Sequence, residues 1–186
     1  MEKLTKKGEI IFTLVFGIFG NITLLGIALL SMSYMNFLIT LGVFIGMEGA
    51  TWIIHKYVMH GFMWALHKDH HDHSNEGALE KNDYFFVIFA LPTIALMYFG
   101  SLEHFNYLFF IGLGIMLYGM AYFFVHDIFI HQRLKFMTKT RNPYFLALRR
   151  AHKQHHKHLG KEDGECFGFL YVPVEYFRMY FNSSKK

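Results

Sequence analysis

Residues 55–71 read HKYVMHGFMWALHKDHH, and residues 126–156 open on HDIFIH and close on HKQHH. The two stretches repeat one frame. His55 and His60, five apart, precede His67, His70 and His71; His126 and His131, again five apart, precede His152, His155 and His156. Each closing cluster has one more histidine two places on, His73 and His158, so both take the form H-K-x-H-H-x-H. The frame takes up ten of the chain's 13 histidines. Imidazole is the commonest protein ligand for iron, zinc and copper. Ten nitrogens are too many for one ion and suit two six-coordinate ions with room left for an exogenous ligand. The single Cys166 excludes an internal disulfide and a thiolate-rich site.

Working outward, the frame is separated by long apolar runs. The chain has 186 residues, enough for one domain over 1–186; 53% are hydrophobic, 19% aromatic and only 17% charged. That is too apolar for an ordinary soluble domain. Segments 10–30, 37–54, 84–100 and 105–125 each approach the roughly 20 apolar residues that cross a bilayer core. Lys3, Lys6 and Lys7 give the first the look of a signal peptide. Its apolar stretch is too long for one and no Ala-x-Ala site follows, so it reads as a retained anchor. With four spans, the N-terminus, the 55–83 loop and the 126–186 tail share one side and hold all 18 Lys and Arg. The positive-inside rule makes that side cytoplasmic. The net charge of +4 sits near membrane-facing segments, which excludes nucleic acid as a partner. The expectation is an all-α, integral membrane four-helix bundle whose cytoplasmic, histidine-bearing helices form a di-metal site.

Residues i, i+3 and i+4 share one helical face, so His67, His70 and His71 project together, as do His152, His155 and His156. The i, i+5 pairs do not fit an α-helical face. They converge across a π-bulge or where a helix frays, and Gly61 suits such an ending. The last cluster lies on a helix capped by Asn142, with Pro143 at its first position and Gly160 as its stop. Phe145, Leu148, His152, His155, His156 and Leu159 fall on one face of it. Arg149, Lys153 and Lys157 form a basic stripe to one side, either facing lipid headgroups or docking an acidic electron donor. Glu48 lies inside the second span, two turns before His55. It either serves the histidines and proton movement or is neutral and bonded to another helix. Asp127, His73 and His158 are candidates to orient the ligating imidazoles. His104, in the short outer loop, reads as an ordinary exposed side chain. Gly42, Gly46, Gly49, Gly112, Gly114 and Gly119 either allow close helix approach or line a narrow channel.

The histidine frame resembles that of the membrane-bound di-iron hydroxylases and desaturases of the fatty-acid hydroxylase superfamily. The strings HKYVMHG, HKDHH, HDIFIHQR, RRAHKQHH and CFGFLYVP are similar to the bacterial carotenoid ring hydroxylases, over about residues 52–173. The resemblance implies two non-haem irons held by His55, His60, His67, His70, His71, His126, His131, His152, His155 and His156. Reduced iron delivers electrons to O2 as co-substrate, and its reductive cleavage gives an oxidant able to attack an unactivated C–H bond. The implied reaction is hydroxylation of carotenoid β-ionone rings at C3, β-carotene going to zeaxanthin by way of β-cryptoxanthin. The chain carries no haem, flavin or dinucleotide motif, so a ferredoxin-type electron donor is a separate partner. Membrane lipid surrounds it, in a bacterial inner membrane. Rival readings are the same chemistry on a fatty acyl chain or sterol, and a membrane metal transporter, whose ligands would lie within the spans rather than beyond them.

Overall fold

Ser33 opens the first described helix: its hydroxyl accepts from the Asn36 amide at 3.2 Å, and α1 follows over Tyr34–Ile53. A computed structural model describes residues 26, 30, 32–72, 80–135 and 137–183, and among them there is no strand. The helix continues in π form through Ile54–Phe62 and kinks at Gly61. Then come α2 (Trp64–Asp72) and, after the undescribed residues 73–79, a 3₁₀ turn (Lys81–Asp83) that leads into α3 (Tyr84–Leu102). Asn106 caps α4 (Tyr107–Phe123) through the Leu108 amide at 2.9 Å, and a second π segment follows at Phe124–Ile130. Asn142 and Pro143 start α5 (Pro143–His155), and α6 (Val174–Ser183) closes the described chain.

Among the described residues, three helices are long and apolar enough to cross a membrane: Tyr34–Phe62, Lys81–Leu102 and Tyr107–Ile130. They contain most of the expected spans 37–54, 84–100 and 105–125. The first and third run on into π turns, because the histidines that follow must stay in register with the helix. The expected span 10–30 lies outside the described residues apart from Gly26 and Leu30. Ile45 on α1, Ile88, Leu91 and Ile94 on α3 and Met120 on α4 are exposed on the outer faces of the three helices, an arrangement that suits hydrocarbon and not water.

Helix α4 is central and packs on both α1 and α3. A Cβ at Gly112 would press on Met97 and the Thr93 carbonyl of α3; one at Gly114 would meet the Thr40 carbonyl and Val43 of α1. Close approach is thus the role of these two glycines, and Thr40 adds a hydrogen bond to the Phe110 carbonyl at 3.2 Å. Among the described residues nothing lies within 4 Å of a Cβ placed at Gly42, Gly46, Gly49 or Gly119, so no such contact is seen at them. One apolar core, around Phe109, Phe110 and Leu113, fills the end of the bundle away from the histidines. A second, around Val125, Leu148, Ala151 and Val172, ties α5 to the second π segment.

Helix α5 departs from expectation in two ways. It ends at His155, with His156 as its C-cap, and not at Gly160. The chain leaves helical path there because the carbonyls of residues 158–167 turn toward imidazoles, which leaves Leu159 61% exposed instead of on the buried face. Arg149 does not belong to the basic stripe: its guanidinium donates to the Phe129 carbonyl at 2.9 Å and sits 4.1 Å above the Phe129 ring centroid. Lys153 and Lys157 are exposed.

Candidate metal centre

The two π segments answer the i, i+5 problem. Five residues along an α-helix turn a side chain about 140° away from its start. The π ladder, seen in Met63 N–H to the Val58 carbonyl and His131 N–H to the His126 carbonyl, both at 2.9 Å, returns i+5 to the face of i. His55 and His60 therefore point the same way, as do His126 and His131, and α2 and α5 bring the other six imidazoles against them.

The histidines gather in two adjoining groups. Ligand-type nitrogens of His55, His60, His67, His71 and His155 lie within 4.8 Å of one another, and those of His70, His131, His152 and His156 do the same. His126 stands beside the second group, its Nε2 3.1 Å from that of His70. His71 and His156 stack at the junction, with ring centroids 4.5 Å apart. Eight of the ten side chains are buried, His155 completely; His131 and His156 are half-buried.

Tautomers follow from the outer nitrogens. His55 Nδ1 donates to the Phe167 carbonyl at 3.1 Å, His60 to Lys161 at 3.1 Å, His71 to His158 at 2.9 Å and His155 to Glu165 at 2.7 Å. His67 Nδ1 donates to Asn82 Oδ1 at 2.7 Å. These oxygens can only accept, so each Nδ1 carries the proton and each Nε2 presents a bare lone pair. Yet Nε2 atoms face one another at 3.1 Å (His55–His67), 3.2 Å (His67–His71) and 3.3 Å (His60–His155). Lone pairs so placed repel unless a cation lies between them. Two nitrogens about 2.1 Å from one ion and at right angles to it stand about 3.0 Å apart. The donor set therefore fits metal ions. In the second group His131 and His152 meet at 2.8 Å through Nε2, and His152 Nδ1 is buried with no hydrogen-bond partner among the described residues.

Burial reinforces this chemistry. It pushes the His67 imidazole down to about 3 and His155 down to about 2, and it holds His70, His152 and His156 well below the usual histidine range. At neutral pH these rings are uncharged, the form that binds metal.

The other sequence candidates divide. Asp127 faces His126 Nδ1 at 3.3 Å and ion-pairs with Arg133 at 3.2 Å. His158 takes part through its backbone carbonyl, and the side chain is not what touches His71. His73 lies outside the described residues. Glu48 makes no hydrogen bond to a histidine among the described residues. It accepts from Tyr118 Oη at 2.7 Å on α4 and from the amides of Phe169, Leu170 and Tyr171 at 2.9–3.2 Å. Its work is to fix the 168–171 turn, which brings the Phe169 ring parallel to His55 at 5.0 Å. His104 is exposed at the far end of the bundle.

Sequence reasoning missed Glu80, Asn82 and Arg133. Glu80 accepts from His70 Nδ1 at 2.7 Å and pairs with Arg133 at 3.3 Å. The signal was the polar run Glu80–Asp83 just ahead of an apolar span, and the Arg that ends HDIFIHQR. It also missed an apolar cavity of about 300 Å³ between α1, α3 and α4. Met59, Tyr122 and Phe169 line the cavity, and no histidine does. Tyr122 stacks on His126 at 4.8 Å, and Phe169 meets Tyr122 edge-on at 4.5 Å, so these rings, with the Asn82 and Asp127 side chains, stand between the cavity and the histidines.

Residues 40–177 match the family model described as fatty acid hydroxylase. The chain is 44% identical over 138 residues to a beta-carotene hydroxylase of Pantoea ananas, covering 74% of this chain and 78% of the relative. It is 41% identical over 137 residues to a beta-carotene hydroxylase of Pseudescherichia vulneris, covering 74% and 77%. A beta-carotene hydroxylase of Paracoccus sp. (strain PC1) is 38% identical over 139 residues, covering 74% and 85%. No solved structure matches the chain.

Proposed function

The chain belongs to the fatty acid hydroxylase family, and on that premise we propose that it hydroxylates carotenoid β-ionone rings at C3, converting β-carotene to zeaxanthin through β-cryptoxanthin. The observation that carries the reading is the convergence of bare Nε2 lone pairs, which suits two non-haem irons held by the ten framed histidines. Bound there, iron would supply electrons to O2 and so an oxidant for an unactivated ring C–H. Each hydroxyl formed consumes one O2, two external electrons and two protons, and releases one water. A ferredoxin-type donor supplies the electrons.

This chain's residues do the rest. Carbonyls of the 158–167 segment hold four imidazoles by Nδ1, which keeps every Nε2 turned inward. The cavity between α1, α3 and α4 suits a substrate that arrives from the bilayer, since its walls are mainly Phe, Met and Ile. A long polyene lying along the bundle presents its terminal ring to the histidine end, with Tyr122 and Phe169 between ring and centre. The bundle is read as lying in a bacterial inner membrane, and the charges support its sidedness. Among the described residues, every Lys and Arg is on the side where α1 ends and α4 ends, and none is in the 103–106 turn. That side is cytoplasmic, and the centre with it. The sequence expectation of a further span at 10–30 would make a four-helix bundle in one domain.

The test is expression in a β-carotene-accumulating bacterium, followed by pigment chromatography under labelled O2. Zeaxanthin carrying the label in its hydroxyls is expected. Hydroxylated fatty acids in place of xanthophylls would assign the chain to another lipid.

A further inference from the structure

The ten imidazoles do not have equivalent surroundings. In the half built from His55, His60, His67, His71 and His155, each Nδ1 donates to a neutral oxygen: four backbone carbonyls and the Asn82 amide. In the other half, His70 donates to the Glu80 carboxylate at 2.7 Å and His126 faces that of Asp127 at 3.3 Å. Arg133 organises both acids. Its Nη2 lies 3.3 Å from Glu80, its Nε 3.2 Å from Asp127, and Asp83 takes Nη2 at 2.9 Å. Glu80 and Asp83 further lock each other, each side chain accepting from the other's amide. Three carboxylates against one guanidinium leave this side net negative.

A carboxylate that accepts from an imidazole N–H makes the opposite nitrogen a stronger donor, and it does so more than a neutral oxygen. Nearby negative charge also favours the higher oxidation state of a bound ion. We propose that the centre is asymmetric by construction. Glu80 and Asp127, positioned by Arg133, make the half with His70 and His126 the more electron-donating, so the ion in the His55 half is reduced first. This inference rests on the di-iron reading.

The test uses purified full-length protein loaded with ⁵⁷Fe. Iron is counted first; fewer than about two per chain overturns the di-iron reading and this inference together. The oxidised protein is then reduced stepwise with dithionite and followed by Mössbauer spectroscopy. Two distinct iron signals that reduce one after the other are expected. Glu80→Gln keeps an acceptor for His70 and removes the charge. It should move the signal of the later-reduced iron and raise its midpoint, leaving the other iron in place. Asn82→Asp puts a carboxylate on His67 in the opposite half and should move the other iron, lowering its midpoint. A merely structural role does not give this reciprocal pattern. Two irons that reduce together, a Glu80→Gln protein unchanged at both, or variants that disturb both irons alike would overturn the asymmetry while leaving the di-iron reading standing.

Discussion

Glu48 accepts four donors, the Tyr118 hydroxyl and three successive amides, from a position inside a membrane-crossing helix. Removing it strands amides that cost about 1–3 kcal/mol each when buried and unpaired. Glu48→Ala should therefore lower the thermal midpoint in detergent by several degrees and release the Phe169 ring from His55; Glu48→Gln, which keeps one acceptor oxygen, should lose less. An unaltered melting curve for Glu48→Ala would contradict the anchoring role. At the ten framed histidines, single Ala substitutions should reduce hydroxylation by more than the about 10–100-fold expected for losing an outer hydrogen-bond partner, and His104→Ala should be silent. Pigment yield per cell reads both. The gathering of imidazoles was legible because histidine has a letter in the sequence. Their outer partners were not, since four of five in one half are backbone carbonyls of residues 158–167, which any amino acid supplies. Asp163 and Cys166, at φ 60° and 57°, sit in left-handed conformation on that segment, where neither position is a glycine.

At the scale of the element, the H-x4-H spacing announced a break from α geometry, and the π turns at Ile54–Phe62 and Phe124–Ile130 are that break. Deleting one residue between His55 and His60 would convert i, i+5 into i, i+4 and let the helix relax to α form. His60 would then leave the Lys161 carbonyl and His155. Iron content should fall by about half or more in such a deletion, whereas a protein that retains full iron would show that the π turn does not set the ligand geometry. The Gly114 contact is equally specific. Gly114→Leu forces α4 off the Thr40 carbonyl and Val43, and its yield of folded protein after membrane extraction should drop sharply. The end of α5 was misread because Gly160 carried the expected stop letter, while the actual stop is set by what residues 158–167 must reach. Arg149 was misplaced for a related reason: periodicity puts it beside Lys153 and Lys157, but its partner, the Phe129 ring and carbonyl, lies on the second π segment, which spacing along α5 does not reveal. For the exposed Lys153 and Lys157, reversal to Glu should slow donor-dependent turnover, with the loss shrinking at high salt, if an acidic donor docks there. Unchanged dependence on donor concentration would leave these lysines to the lipid headgroups.

Across the whole molecule, hydropathy made the spans 37–54, 84–100 and 105–125 readable, because bilayer thickness acts on composition alone, and the charges add an expectation of sidedness. The apolar cavity was not readable. It depends on how α1, α3 and α4 diverge beside Tyr118 and Tyr122, which no local pattern records. The arrangement predicts that only ring ends are attacked, so lycopene, an acyclic carotenoid, should pass through unmodified in the same cells that convert β-carotene. It also predicts a cytoplasmic C-terminus, which a reporter fused after Lys186 would reveal; activity of a periplasm-dependent reporter there would invert the placement of the centre. The central claim is that ten inward-turned imidazoles make a two-iron site. Elemental analysis of the full-length protein, purified from iron-replete cells and referred to its amino-acid content, tests it most directly. The account predicts about two irons per chain with no haem absorption. One iron or none, or zinc in its place, would contradict it.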